Sequence, residues 1–94
     1  MDELTRINHL IHESLTQQAI EAAERMVAQQ GVKDADKAQA YYLMGNAYRQ
    51  LNDFRRAMGC YLEAVELDHE SPAAAAYEAA QQVLGFYDHD LYNP

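Results

Sequence analysis

The stripe Ala19-Ile20, Ala23, Met26-Val27 returns as Ala57-Met58, Tyr61, Ala64-Val65 at a constant offset of 38 residues. Apolar positions spaced i, i+1, i+4, i+7 and i+8 cover one face of an α-helix. Their recurrence at a fixed period of a few tens of residues marks a helix-pair unit that buries its apolar face on its neighbours. The chain is therefore confined to an all-α stack of antiparallel helix pairs. At 94 residues it makes one domain with a thin core, too small for a wide, deep active-site cavity.

Few residues interrupt the helices. One of the two Pro is terminal, the four Gly are scattered singly, and the good helix formers Ala, Gln, Glu, Leu and Met dominate. Leu4, Ile7, Leu10 and Ile11 predict a first helix ending near Glu13. Ser14 with Gln17 fits a capping box that starts the second. Gly31 followed by Val32 predicts a left-handed stop with an apolar residue folding back, which would end that helix near Gln30. After a polar loop through Lys33 and Asp34, a third helix carries Ala40, Tyr41, Met44, Gly45, Ala47, Tyr48 and Leu51 on one side. Asn52 and Asp53 close it and open a fourth, with Phe54, Ala57, Met58, Tyr61, Ala64 and Val65, stopping around Asp68. Ser71-Pro72 is a strong start signal for a fifth, because Ser caps free N–H groups and Pro is tolerated in a first turn. Its stripe is Ala73, Ala76, Tyr77, Ala80, Val83, Leu84 and Tyr87, and Asp88 to Pro94 reads as a short tail rich in turn formers. Five helices with tight turns imply antiparallel neighbours.

Within residues 38–71 the motif is Tyr41-x2-Met44-Gly45-x2-Tyr48, followed by Ala57-x3-Tyr61 and Ala64. This closely resembles the tetratricopeptide pattern W-x2-L-G-x2-Y, A-x3-F, A, P. Tyr41 replaces the Trp, and His69 stands where that family usually has Pro. A first repeat over about 2–31 is divergent: Ile7 sits at the Gly position, while Leu10, Ala19 and Ala23 agree in type. The spacing exceeds the family's 34 residues by four, and the loop from Gly31 to Lys37 is the natural place for the surplus. Residues 72–94 read as a capping helix and tail over the open end of the second repeat. Small residues at Gly45 and Ala57 let two helix axes approach closely, and Tyr41, Tyr48 and Tyr61 fill the space beside that contact.

The formal charge of −8 disfavours a phosphate backbone, so nucleic acid is not an expected partner. No apolar run is long enough to span a bilayer, no secretory signal opens the chain, and the single Cys60 allows neither an internal disulfide nor a CxxC pair, which together point to the cytosol. His9 and His12 with Glu13 supply too few ligands for a metal, and the adjacent Asp88, His89 and Asp90 read as solvated residues. Cys60 reads as a small buried thiol. No Ser/His/Asp set or phosphate-binding Gly loop appears, so neither catalysis nor a cofactor is expected.

The resemblance implies a right-handed stack of antiparallel helix pairs, an α-α superhelix, and a protein–protein interaction module whose concave groove, lined by the first helix of each pair, holds a partner segment. On the third helix the positions outside the core stripe are Gln39, Tyr42, Leu43, Asn46, Arg49 and Gln50, and on the first the matching ones are Leu4, Thr5, Asn8, Ile11 and His12. Asn8 and Asn46 can each hydrogen-bond both groups of a peptide backbone, and Tyr42 offers a rigid anchor. Alternatively Leu4, Ile11, Tyr42 and Leu43 simply pack between helices. Only Arg49 is basic on this face, so a neutral, apolar or basic segment is expected rather than an acidic tail. A second possibility is self-association into a homodimer through Phe86, Tyr87, Leu91 and Tyr92, which either dock on another chain or fold back.

Overall fold

The computed structural model describes residues 2–92, with side chains described for 2–85. Five helices follow in order, α1 (Glu3–His12), α2 (Thr16–Ala28), α3 (Asp34–Gln50), α4 (Phe54–Leu67) and α5 (Ala73–Tyr92). Each packs on its neighbour in sequence, and α1 also packs on α3. The 38-residue offset reappears in the backbone, since α2 and α4 begin at Thr16 and Phe54.

The two hairpin turns are built alike. Beyond α1, Ser14 N–H donates to Ile11 O at 3.0 Å and Leu15 N–H to Leu10 O at 2.9 Å. Beyond α3, Asn52 N–H donates to Arg49 O at 2.9 Å and Asp53 N–H to Tyr48 O at 2.9 Å. Both are Schellman stops, in which a residue at positive φ turns the chain so that free carbonyls of the last turn are satisfied. The residues doing so are Ser14 at φ 61° and Asn52 at φ 59°, neither a glycine. The capping box expected at Ser14 and Gln17 is therefore absent: Ser14 ends α1 rather than starting α2, whose preceding residue Leu15 makes no side-chain cap. Gly31 does adopt positive φ, at 83°, and Val32 packs on the core, but α2 has already ended at Ala28.

Other departures have local causes. The surplus residues do not all lie in a loop from Gly31 to Lys37, because α3 starts at Asp34, where Asp34 and Asp36 put negative charge in the first turn. Leu51 is not in the core stripe; it is the C-cap of α3 and 52% exposed. α5 does not give way to a turn-rich tail at Asp88, since its backbone stays helical to Tyr92. At its start, Ala73 N–H donates to the buried Ser71 Oγ at 3.1 Å, as the Ser-Pro signal implied. The side chains of Phe86, Tyr87, Leu91 and Tyr92, and of Asp88, His89 and Asp90, lie outside the described residues.

Among the described residues two clusters form the core. One centres on Ile7, Leu10, Ala19, Ile20, Ala23 and Met44, the other on Ala38, Ala57, Tyr61, Ala64, Ala73 and Ala80. Tyr41, Tyr42 and Tyr48 of α3 pack against both and join them. The two hairpins fill their interiors in opposite senses. In the second, the ring of fully buried Tyr61 lies over Gly45, where a Cβ would stand 2.7 Å from Tyr61 Cδ1 and 2.9 Å from Cζ. At the positions 38 residues earlier the large residue is Ile7 and the small one Ala23, both fully buried. The exchange of bulk across the helix pair explains how the first hairpin keeps its packing while losing the motif's glycine.

Candidate functional site

The furrow between α1 and α3 holds two adjoining hollows. One, of about 460 Å³, is lined by Asp2, Leu4, Thr5 and Asn8 from α1 and its cap, and by Gln39, Tyr42, Leu43 and Asn46 from α3. The other, of about 350 Å³, is lined by Ile11, Asn46, Arg49, Gln50 and Phe54. Asn46 belongs to both, so the two hollows adjoin at this residue. At the 1.5 Å helical rise, Gln39 to Gln50 spans roughly 16 Å, the length of about five residues of extended chain.

The floor is fixed by side chains of the fold. Tyr61 of α4 reaches through beside Gly45, and its hydroxyl donates to Asn46 Oδ1 at 2.6 Å. That bond holds the Asn46 amide in one orientation and leaves its NH2 as the donor end. Tyr42 packs against Tyr61 with ring centroids 6.0 Å apart at 42°. Burial pushes the Tyr61 phenol up, while the neighbouring Arg49 guanidinium pulls it the other way. At the mouth, Asp2 caps α1 by accepting from Thr5 N–H at 2.7 Å, and this bond holds its carboxyl below the usual range.

Seven of the eight residues expected to bind a partner, Asn8, Gln39, Tyr42, Leu43, Asn46, Arg49 and Gln50, line this furrow. His12, exposed in the last turn of α1, lines neither hollow. Leu43 is 5% exposed and belongs to the core, with Ile11 at 8%, whereas Leu4 and Tyr42 are half-buried. The Gln50 amide is occupied within the fold: its Nε2 donates to Ile11 O at 2.9 Å and its Oε1 accepts from Thr16 Oγ1 at 2.8 Å, tying α3 to the first turn. Sequence reasoning missed Asp2 and Phe54. Asp2 lies three residues before Thr5, so extending the i, i+3 spacing back into the cap would have found it; Phe54 had been given wholly to the core stripe of α4. The motif residues Tyr41, Met44, Gly45, Tyr48, Ala57, Tyr61 and Ala64 lie behind the furrow in the helix contacts.

Among the described residues no three His, Cys, Asp or Glu side chains are arranged to hold a metal, and no helix is long and apolar enough to cross a membrane. Burial, reinforced by Glu24, Glu63 and Asp53, pushes the Cys60 thiol up to about 11, so it is protonated at neutral pH.

The arrangement has known counterparts. The family model of the tetratricopeptide repeat matches residues 38–71. A solution NMR structure of protein BF1650 from Bacteroides fragilis is 40% identical over 99% of this chain and 91% of its own, with a TM-score of 0.85. The chain belongs to the tetratricopeptide-repeat family. No curated protein matches it. Tetratricopeptide repeats generally mediate protein–protein interactions and are typically not catalytic. In a tetratricopeptide-repeat protein, stacked helix pairs create extended concave surfaces.

Proposed function

We propose that the chain is an adaptor whose α1–α3 furrow binds an extended segment of a partner protein, acting in the cytosol and without catalysis. In this reading residues 2–31 and 38–71 are the two repeats and residues 72–94 cap the second. The adjoining of the two hollows at Asn46 carries the reading, because a bound strand laid along α3 would run through both. Asn8 and the NH2 of Asn46 supply backbone hydrogen bonds, and Tyr42 supplies apolar contact held in place by Tyr61. With Asp2 at one end and Arg49 at the other as the furrow's only charged lining residues among the described residues, and −8 overall, the surface favours neutral, apolar or basic segments over acidic ones.

The test is capture of partners by wild type and by an Asn8→Ala, Gln39→Ala double variant. Both side chains line the furrow, and neither takes part in a hydrogen bond among the described residues, so the fold should be retained. A partner held by wild type and lost by the variant, with unchanged circular dichroism and melting, supports the furrow. Equal capture by both overturns it.

A further inference from the structure

On the opposite side of α3 from the furrow lies a hollow of about 380 Å³ between α3 and α4. From α3 it takes Tyr41, Met44 and Tyr48, spaced i, i+3, i+7; from α4 it takes Arg56, Gly59, Cys60 and Glu63. The size falls within the range of about 300–1,000 Å³ common to ligand sites.

Gly59 is the informative residue. A glycine inside a helix is a destabilising choice relative to alanine, so a structural reason is expected where one stands. At Gly45 the reason is the Tyr61 ring; at Gly59 there is none, since a Cβ there would meet nothing within 4 Å. What the missing side chain does achieve is to leave the wall of this hollow open. A local choice that costs stability without a packing return is where function is to be sought.

The chemistry of the walls selects the occupant. Two half-buried tyrosine rings flank the opening, and aromatic faces attract cations. Arg56 already shows the preference, with its guanidinium carbon 5.9 Å from the Tyr48 centroid. Its charge is met by Asp53, 3.6 Å away, which leaves Glu63 as the unbalanced charge of the lining. Glu24 of α2 adds a second, because its charge bears on both Cys60 and Tyr48. The chain's own C-terminal segment is not a candidate occupant, since residues 71–94 contain neither Lys nor Arg.

We infer that this hollow, walled by Tyr41, Met44, Tyr48, Gly59, Cys60 and Glu63, takes one cationic side chain, arginine or lysine, of a partner protein. The site is independent of the furrow and faces away from it. A partner is thus engaged on both sides of α3, or two partners are engaged at once.

The test is an NMR titration of the ¹⁵N-labelled chain with acetyl-Gly-Arg-Gly-amide and, separately, acetyl-Gly-Glu-Gly-amide. The arginine peptide should give saturable shifts at the amides of Tyr48, Gly59, Cys60 and Glu63, and the glutamate peptide should not. Gly59→Leu should abolish the shifts by filling the hollow, and Glu24→Gln with Glu63→Gln should weaken binding severalfold. The two glutamates are exposed, so that variant keeps the test decisive even if Gly59→Leu fails to fold. Equal shifts from both peptides, no saturable shift from the arginine peptide, or unchanged binding in the glutamine variant overturns the inference.

Discussion

Two helical glycines of this chain look alike in sequence and differ in what surrounds them. Gly45→Ala gains helix propensity but drives a methyl group into a ring that is fully buried and tied to Asn46. Overpacking of this kind costs about 1–3 kcal/mol, so after the propensity gain of about 1 kcal/mol a net loss of up to about 2 kcal/mol is expected. Gly59→Ala meets no atom and should gain up to about 1 kcal/mol. Thermal melting separates the two cases, because in a domain of this size 1 kcal/mol moves Tm by roughly 4–8 °C. Cys60 gives a third residue-scale prediction. A thiol raised from 9.0 to about 11 holds roughly a hundredth of the usual thiolate at pH 8. The greater nucleophilicity of a more basic thiolate restores part of this. Iodoacetamide should therefore label the folded chain about tenfold more slowly than the urea-unfolded one, and equal rates would contradict the burial of the thiol.

At the scale of elements, the helices were legible because their stripes are regular, and their ends were less so. Ser at position 14 suits both a helix start and a left-handed stop. Sequence alone weighs the side chain's capping ability, whereas the structure is decided by the two backbone bonds to Leu10 and Ile11 carbonyls. Non-glycine residues at positive φ cost about 1–2 kcal/mol. Ser14→Gly should thus raise stability, by about 0.5–1 kcal/mol after the entropy of a freer unfolded chain is subtracted, as read by urea denaturation. Leu51 was misassigned for a related reason: helical periodicity runs past the point where the chain turns. At the start of α1 the Asp2 cap lowers its own carboxyl through the Thr5 bond. A carboxyl with a depressed folded value stabilises above its ordinary value of 3.8, and the contribution is lost as pH falls through the folded one. Hydrogen exchange at Thr5 should therefore speed up in Asp2→Ala at pH 6, and wild type and variant should converge once acidification has protonated the Asp2 carboxyl.

Across the whole molecule, one period placed two hairpins, and their stacking brought Asn8, Gln39, Tyr42 and Asn46 onto one furrow, as the matching spacing on α1 and α3 had indicated. Periodicity could not reveal how those side chains are employed. Gln50 is consumed by bonds to Ile11 and Thr16, Leu43 by the core, and the carbonyl end of Asn46 by a phenol fifteen residues away, all contacts between elements. The compensation of Ile7 and Ala23 for Gly45 and Tyr61 is similarly a property of the pair of helices and of neither alone. The first hairpin belongs to the stack although it lacks the family's glycine because volume, rather than residue identity, is conserved across the contact.

The most direct measurement is the comparison of partner capture by wild type, by the Asn8→Ala, Gln39→Ala variant and by Glu21→Gln, an exposed α2 position outside the furrow lining, under the same salt and protein concentration. If the α1–α3 furrow is the working surface, a partner held by wild type and by Glu21→Gln is lost from the furrow variant while all three melt alike. Retention of the same partner by the furrow variant at the wild-type level would contradict it.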